Sequence, residues 1–195
     1  LNANATFRKA FEGVFGVHRD APVPKYHSKT LRKAVRPLAR ELTPIAAGRT
    51  KGKVALYATC YGNYNSPNLG EDFYKVFQHN GIHIELVPKE ACCGMPKLEL
   101  GDLEAVDRLK SRNIPVLSRL VDAGYDLIAP VPSCVLMYKQ ELPLLYPEDQ
   151  DVQKVAQTFF DPFEYLFLRH KEGQLKTDFK SGLGDVGYHV ACHLR

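Results

Sequence analysis

The sequence has 195 residues, of which 45% are hydrophobic and 25% are charged, and its formal net charge is +4. This composition is typical of a globular domain and excludes a chain that is disordered throughout. The sequence contains neither the roughly 20 consecutive apolar residues of a membrane-spanning helix nor the apolar core of a secretory signal. We therefore predict a cytoplasmic protein. Because the sequence begins with Leu1 rather than Met and ends three residues after Cys192, we expect a piece of a longer protein.

Residues 1–52 have no strand pattern and are predicted to form an N-terminal helical arm or linker. Phe7, Phe11 and Phe15 recur at helical spacing, and a second helical stretch is predicted at 28–42. The arm contains eleven basic residues against three acidic ones, which suits an acidic membrane surface or nucleic acid. Because aromatic and basic residues do not interleave there, we predict no nucleic-acid partner and favour a solvated arm or one that packs on a partner.

From residue 53 onward, short apolar runs alternate with helical patterns, and this part is predicted to form a second region, 53–195. Four runs are predicted to be strands: 54–59, 82–87, 126–131 and 187–191. Helices are predicted at 71–80, at 103–123 with a break near Pro115, at 134–142 and at 151–170. This alternation predicts an α/β fold, in which a Rossmann-like parallel sheet is flanked by helices.

Five cysteines lie at the ends of these predicted strands. Cys60 follows the first, Cys92 and Cys93 the second, Cys134 the third and Cys192 the fourth. Because the carboxyl ends of parallel strands meet at one edge of a sheet, we expect the thiols to gather there. Structural cysteines in the core are the alternative. Metal or cluster ligation accounts better for the absence of all five from predicted strands and helix interiors.

The number and spacing of the thiols bear on the kind of metal. Ligation by thiolates alone selects zinc or iron–sulfur centres. Zinc takes four ligands, often from C-x2-C pairs, and the sequence has no such pair. Five thiols from four loops suit a polynuclear iron–sulfur cluster better. Two alternatives stay open: a structural Zn²⁺ domain, and a thiol–disulfide enzyme that acts through Cys92 and Cys93.

Three further residues are candidates for contacts with a cofactor. Gly94 can adopt a positive φ and let the backbone fold tightly around a site, although a simple turn glycine is an equal alternative. His193 and Asn63 can donate hydrogen bonds to cluster sulfurs and tune the reduction potential. For these two residues, a structural histidine and a turn-forming asparagine are the favoured interpretations. The sequence has neither a Walker loop nor a GxGxxG motif, so dinucleotide or flavin binding is unsupported.

The order of these motifs resembles the CCG cysteine-rich domain, the family that includes the B subunit of heterodisulfide reductase. Cys60 is separated by 31 residues from Cys92-Cys93-Gly94, and Cys134 follows Cys93 after 40 more. The family also occurs in the C subunit of anaerobic glycerol-3-phosphate dehydrogenase and in iron–sulfur subunits of glycolate and lactate oxidases. The strings Lys89-Glu-Ala-Cys-Cys-Gly94 and Tyr188-His-Val-Ala-Cys-His193 are similar to the glycerol-3-phosphate type.

The resemblance implies a [4Fe-4S] cluster in an electron-transfer subunit of a respiratory, flavin-linked dehydrogenase complex. Its ligands would be five thiolates: Cys60, Cys92, Cys93, Cys134 and Cys192. The implied partners are a flavin-containing dehydrogenase subunit and quinone or another electron carrier, at the inner face of the cytoplasmic membrane. Cys192 resembles the start of a second, truncated motif. Met137 stands three residues after Cys134, where the heterodisulfide reductase version has a cysteine, which disfavours disulfide-cleaving chemistry.

Overall fold

The computed structural model describes residues 4–190 and 192–194. Within them, four parallel strands form one sheet in the order β2-β1-β3-β4. The strands are β1 Lys53–Leu56, β2 His83–Leu86, β3 Asp126–Ile128 and β4 Phe159–Phe160. The α/β fold with a parallel sheet is therefore confirmed.

Helices connect the strands and cover both faces of the sheet. In chain order they are α1 Ala5–Phe15, α2 Leu31–Val35, α3 Cys60–Tyr64, α4 Pro67–His79, α5 Met95–Glu99, α6 Leu103–Asp122, α7 Pro132–Leu136, α8 Leu142–Leu145, α9 Gln150–Thr158 and α10 Pro162–Lys171. A π-helical turn, Met137–Glu141, joins α7 to α8, and a 3₁₀ turn covers Cys192–Leu194. Among the described residues, no helix is both long and apolar enough to cross a bilayer.

The core forms two apolar clusters, one on each face of the sheet. Successive side chains of a strand point to opposite faces. Val54 and Leu56 therefore pack against α2, α4 and α10, whereas Ala55 and Tyr57 pack against α6, α7 and α9. All four side chains are fully buried. The strands of a parallel sheet that is covered on both faces are apolar throughout, and this pattern predicts β1.

Helix α6 runs without interruption through Pro115, so the predicted break there is wrong. Asp102 caps the helix, because its Oδ1 accepts the N–H of Ala105 at 3.1 Å. A proline inside a helix costs about 3 kcal/mol. Ile114 and Leu117, on either side of the proline, are almost fully buried, and burying each such side chain contributes about 2 kcal/mol. Packing therefore holds the helix together.

The fourth strand is not the one that the sequence predicts. Residues 187–190 form no strand and are exposed, and Ala191 lies outside the described residues. Instead, β4 lies inside the segment 151–170, for which the sequence predicts a helix throughout, and pairs with the free edge of β3. Asp161 then caps α10 with Pro162 in its first turn. The edge of β3 is thus taken by β4 rather than by residues 187–190, and strand propensity depends on such context.

The N-terminal arm is helical where predicted at α1, but its second helical stretch is shorter than predicted. It comprises α2 and a 3₁₀ turn, Arg36–Leu38. Leu31 of α2 is fully buried in the apolar cluster that includes Phe73 and Phe77 of α4. The contact is close, because a Cβ on Gly70 of α4 would lie 2.3 Å from Leu31 Cδ2. The segment around Leu31 therefore packs against the sheet region.

Candidate metal centre

Four of the five cysteines lie together beyond the carboxyl ends of three neighbouring strands. Cys60 opens α3 after β1, Cys92 and Cys93 lie in the loop after β2, and Cys134 lies in α7 after β3. The sulfurs of Cys93 and Cys134 are 3.2 Å apart. The thiol of Cys92 interacts with those of Cys60 and Cys93. The four thiols therefore form a continuous row, which we call the thiol row.

The thiol row has a buried end and an exposed end. Cys93 and Cys134 are buried in the apolar cluster with Met95 and Tyr138, whereas Cys92 is half-buried and Cys60 is exposed. The neighbouring Cys60 thiol lowers the pKa of Cys92 to about 2. The same contact raises the pKa of Cys60 above its usual range. The lowered pKa favours the thiolate form of Cys92, which is the form that binds metals.

The thiol row fits a thiolate-bound metal centre in the kind and number of its donors. Thiolates select zinc or iron–sulfur centres, and each of these commonly takes four of them. Across residues 4–190 and 192–194, however, no three His, Cys, Asp or Glu side chains are arranged as a closed site around one point. The donors are thus adjacent in a row rather than preformed as a tetrahedron.

Comparison with known proteins agrees with this arrangement. Residues 54–139 match the family model described as a cysteine-rich domain, CCG. This part of the chain belongs to the CCG cysteine-rich domain family. The resemblance predicted from the cysteine spacing is therefore confirmed for the CCG domain.

Curated relatives of the CCG domain extend beyond this chain. The chain is 27% identical over 189 residues to the C subunit of anaerobic glycerol-3-phosphate dehydrogenase from Escherichia coli (strain K12). The aligned residues make up 96% of this chain and 46% of the relative. It is 30% identical over 144 residues to lactate utilization protein A of Bacillus cereus (strain G9842), covering 73% of this chain and 58% of the relative. The chain thus spans about half the length of these relatives. No solved structure matches.

Two of the predicted cofactor-binding residues shape the CCG domain around the thiol row. Gly94 has a φ of 101°, a left-handed conformation that other residues rarely adopt, and it is the N-cap residue of α5, directly after Cys93. Asn63 is buried, and its Oδ1 accepts the backbone N–H of Arg32 at 3.2 Å. The amide of Asn63 therefore ties α3 to α2, and its role as a donor to a cluster sulfur stays a prediction.

The fifth cysteine does not follow a strand, contrary to the sequence prediction. Cys192 is exposed and lies on the 3₁₀ turn at the end of the described chain. This turn contacts α7, where His193 Nδ1 lies 2.8 Å from Ser133 Oγ. Ser133 directly precedes Cys134, so the turn lies beside the buried end of the thiol row. Ligation by Cys192 and a hydrogen bond from His193 to a cluster stay predictions.

Two charged residues that the sequence pattern does not reveal lie beside the exposed end of the thiol row. A cleft of about 210 Å³ there is lined by both Cys60 and Cys92. Glu90, in its wall, accepts the N–H of Ala58 at 3.0 Å and pairs with Arg32 at 3.2 Å. Burial raises the pKa of Glu90 to about 7, although Arg32 opposes the shift. The loops after β1 and β2 are therefore tied together. No sequence pattern pairs residues so far apart along the chain, so only the fold could reveal this contact.

Thr59, immediately before Cys60, has an unusual backbone conformation. Its φ is 62°, which is costly for a β-branched residue. The hydroxyl accepts the N–H of Gly62 at 2.9 Å and so caps α3. The chain therefore turns sharply after β1. As a result, Cys60 lies close to the carboxyl ends of the strands.

Proposed function

We propose that this CCG domain binds an iron–sulfur cluster through its thiol row and acts as an electron-transfer module of a dehydrogenase complex. The observation that carries the proposal is the convergence of four thiols from three strand ends, with Cys93 and Cys134 Sγ atoms 3.2 Å apart. The family match supports it. So does the similarity to a protein named as a dehydrogenase subunit. We propose a [4Fe-4S] cluster, which four cysteine thiolates can hold.

In this proposal the chain holds, shields and tunes the cluster, which itself supplies one-electron chemistry when bound. Cys60, Cys92, Cys93 and Cys134 would be its thiolate ligands, and Cys192 a further one. Backbone groups of Gly94 and Met95 beside Cys92 and Cys93 favour their thiolate forms. Hydrogen bonds from backbone groups and the surrounding apolar cluster are what set a cluster's reduction potential. We assign no substrate chemistry to this chain.

The proposed partners follow from the same role. Electrons would arrive from a flavin-containing dehydrogenase subunit and leave to quinone or another carrier, with the protein at the inner face of the cytoplasmic membrane. The name of the glycerol-3-phosphate dehydrogenase relative supports the first partner. Co-purification of the full-length protein with a flavoprotein, and reduction of its cluster on addition of that flavoprotein's substrate, would test the first partner directly.

Anaerobic reconstitution of the full chain with iron and sulfide tests the cluster. We expect charge-transfer absorption, an EPR signal after reduction, and about four irons and four sulfides per chain. Cys93→Ala and Cys134→Ala should abolish the signal. Ser118→Ala, at another buried polar residue of the same domain, should retain it. A wild-type chain with intact thiols that takes up no iron would contradict the proposal.

Two other functions have specific observations in their favour. Four thiols match the ligand number of a structural zinc site, and about one zinc with no iron in protein purified without oxygen would establish it. The low pKa of Cys92 beside an open cleft favours thiol–disulfide exchange. That function predicts exchange activity in metal-free protein, which Cys92→Ser would abolish.

A further inference from the structure

Asn113 on α6 faces the loop that carries Cys92 and Cys93. Its side chain is only 2% exposed. Oδ1 accepts the backbone N–H of Ala91 at 2.9 Å. Nδ2 donates to the Cys92 carbonyl at 2.9 Å and to the Tyr57 hydroxyl at 3.2 Å. One amide therefore holds the backbone on both sides of the peptide unit that leads into the adjacent thiols.

Two tyrosines extend this contact. The Tyr57 hydroxyl donates to the Ala91 carbonyl, and the Tyr138 hydroxyl donates to Tyr57 at 3.2 Å. Both rings are almost fully buried and meet edge to face. Residues 90–93 belong to neither helix nor strand, so their backbone groups lack regular partners. Buried backbone groups must find partners elsewhere, and these side chains provide them.

We propose that Asn113 is a positioning residue that holds the Cys92–Cys93 loop in the orientation in which both thiols reach the same centre. Where this concerns a cluster, it rests on the proposed function. The assignment to Asn113 follows from its chemistry, since its neutral amide offers an acceptor for the Ala91 N–H and two donors, for the Cys92 carbonyl and the Tyr57 hydroxyl. An aspartate keeps the acceptor alone, and a leucine of similar size keeps neither and leaves buried groups unpaired.

Alkylation of the metal-free chain tests the positioning without any cluster. Iodoacetamide labelling under reducing conditions, read by peptide mass spectrometry, gives a rate for each cysteine. We expect N113L to speed labelling of Cys92 and Cys93 about tenfold, which corresponds to about 1.4 kcal/mol. N113D should give a smaller increase, and labelling of the exposed Cys192 should be unchanged in both. Ser118→Ala, on the same helix and similarly buried, is the matched control and should leave every rate unchanged.

The variants also separate this inference from the proposed function. If N113L loses its native circular dichroism, N113D carries the same test. Labelling rates within twofold of wild type in the folded variants would overturn the inference, whether or not the chain binds iron. If the wild-type chain binds iron, N113D should shift the EPR spectrum and midpoint potential, while Ser118→Ala should not. A wild-type chain that binds no iron would instead contradict the cluster proposal and leave the labelling experiment to decide the role of Asn113.

Discussion

The amino edge of the sheet, where the parallel strands begin, and the carboxyl edge, where they end, both bury polar side chains. The partners of these side chains differ between the two edges. At the amino edge, Asp126 accepts from the Lys51 N–H at 2.6 Å and from the Tyr165 hydroxyl at 3.0 Å. Arg169 donates to the Ile45 carbonyl at 3.0 Å and to Thr50 at 3.2 Å. At the carboxyl edge the thiols of Cys93 and Cys134 meet mainly each other and apolar neighbours.

This difference separates structural groups from ligand-binding groups. The Asp126 carboxylate has partners from its own chain, and it joins β3 to the segment before β1. The thiols are soft donors with weak hydrogen-bonding ability, so their burial gives the fold little polar stabilisation. A row of such groups is suited mainly to binding a ligand, such as a metal ion or cluster. The following predictions test whether the two edges differ in this way.

The largest expected effect is at the amino edge. Asp126→Ala leaves the Lys51 N–H and the Tyr165 hydroxyl without their acceptor, in a place where Asp126 is 1% exposed. Leaving these two hydrogen-bond donors without an acceptor costs about 3 kcal/mol in total. Urea unfolding should show that loss, whereas Asp178→Ala, which removes an exposed pair with His79, should change stability little. Equal effects of the two variants would contradict a special role of the amino edge.

A second prediction tests how tightly the arm packs on the sheet. Gly70→Ala places a methyl group 2.3 Å from Leu31 Cδ2, and overpacking of this kind costs about 2 kcal/mol. Gly13→Ala in α1 is the matched control, because nothing lies within 4 Å of its added Cβ. It should stabilise the helix by about 0.5–1 kcal/mol. Thermal unfolding measures both changes, and a neutral Gly70→Ala would mean that α2 is not held against α4.

The third prediction concerns the carboxyl edge. In metal-free, reduced protein, Cys134→Ala should lower the free energy of unfolding by only about 1 kcal/mol, the transfer cost of one small buried group. With metal or cluster bound, the same substitution should remove all ligand-induced stabilisation. A metal-free loss as large as that of Asp126→Ala would instead make the thiols structural.

The outcomes at these two edges show what the sequence could and could not predict. The sheet was predictable from the apolar run at β1, because a strand that is buried on both faces is apolar throughout. Its thiol-bearing edge was predictable from the positions of Cys60, Cys92, Cys93 and Cys134, which all follow predicted strands. The strand β4 has only two residues, too few to form a recognisable sequence pattern. It exists because β3 offers a free edge and α9 ends there, which are tertiary facts.

The contacts that support the site were equally hidden from the sequence. Arg32 and Glu90 lie far apart along the chain, and Asn113 lies 56 positions from Tyr57. Each of these residues has no periodicity that distinguishes it from an ordinary surface or core position. Their roles arise only when the fold places them around the loop after β2. A sequence can thus indicate the donor atoms of such a centre more readily than the residues that orient them.

The smallest expected effect is a pH dependence at the amino edge. Burial raises the pKa of Asp126 above its ordinary value of 3.8. Above pH 3.8 the native state therefore binds more protons at this residue than the unfolded chain does, so its contribution to stability falls as pH rises through the raised pKa. Asp126→Asn keeps an acceptor but cannot titrate, so the stability of the wild type relative to this variant should fall as pH rises. Urea unfolding of both proteins from about pH 4 to 8 measures the difference in slope. A stability difference between wild type and Asp126→Asn that rises with pH would mean that the partners at this edge favour the charged carboxylate rather than its neutral form.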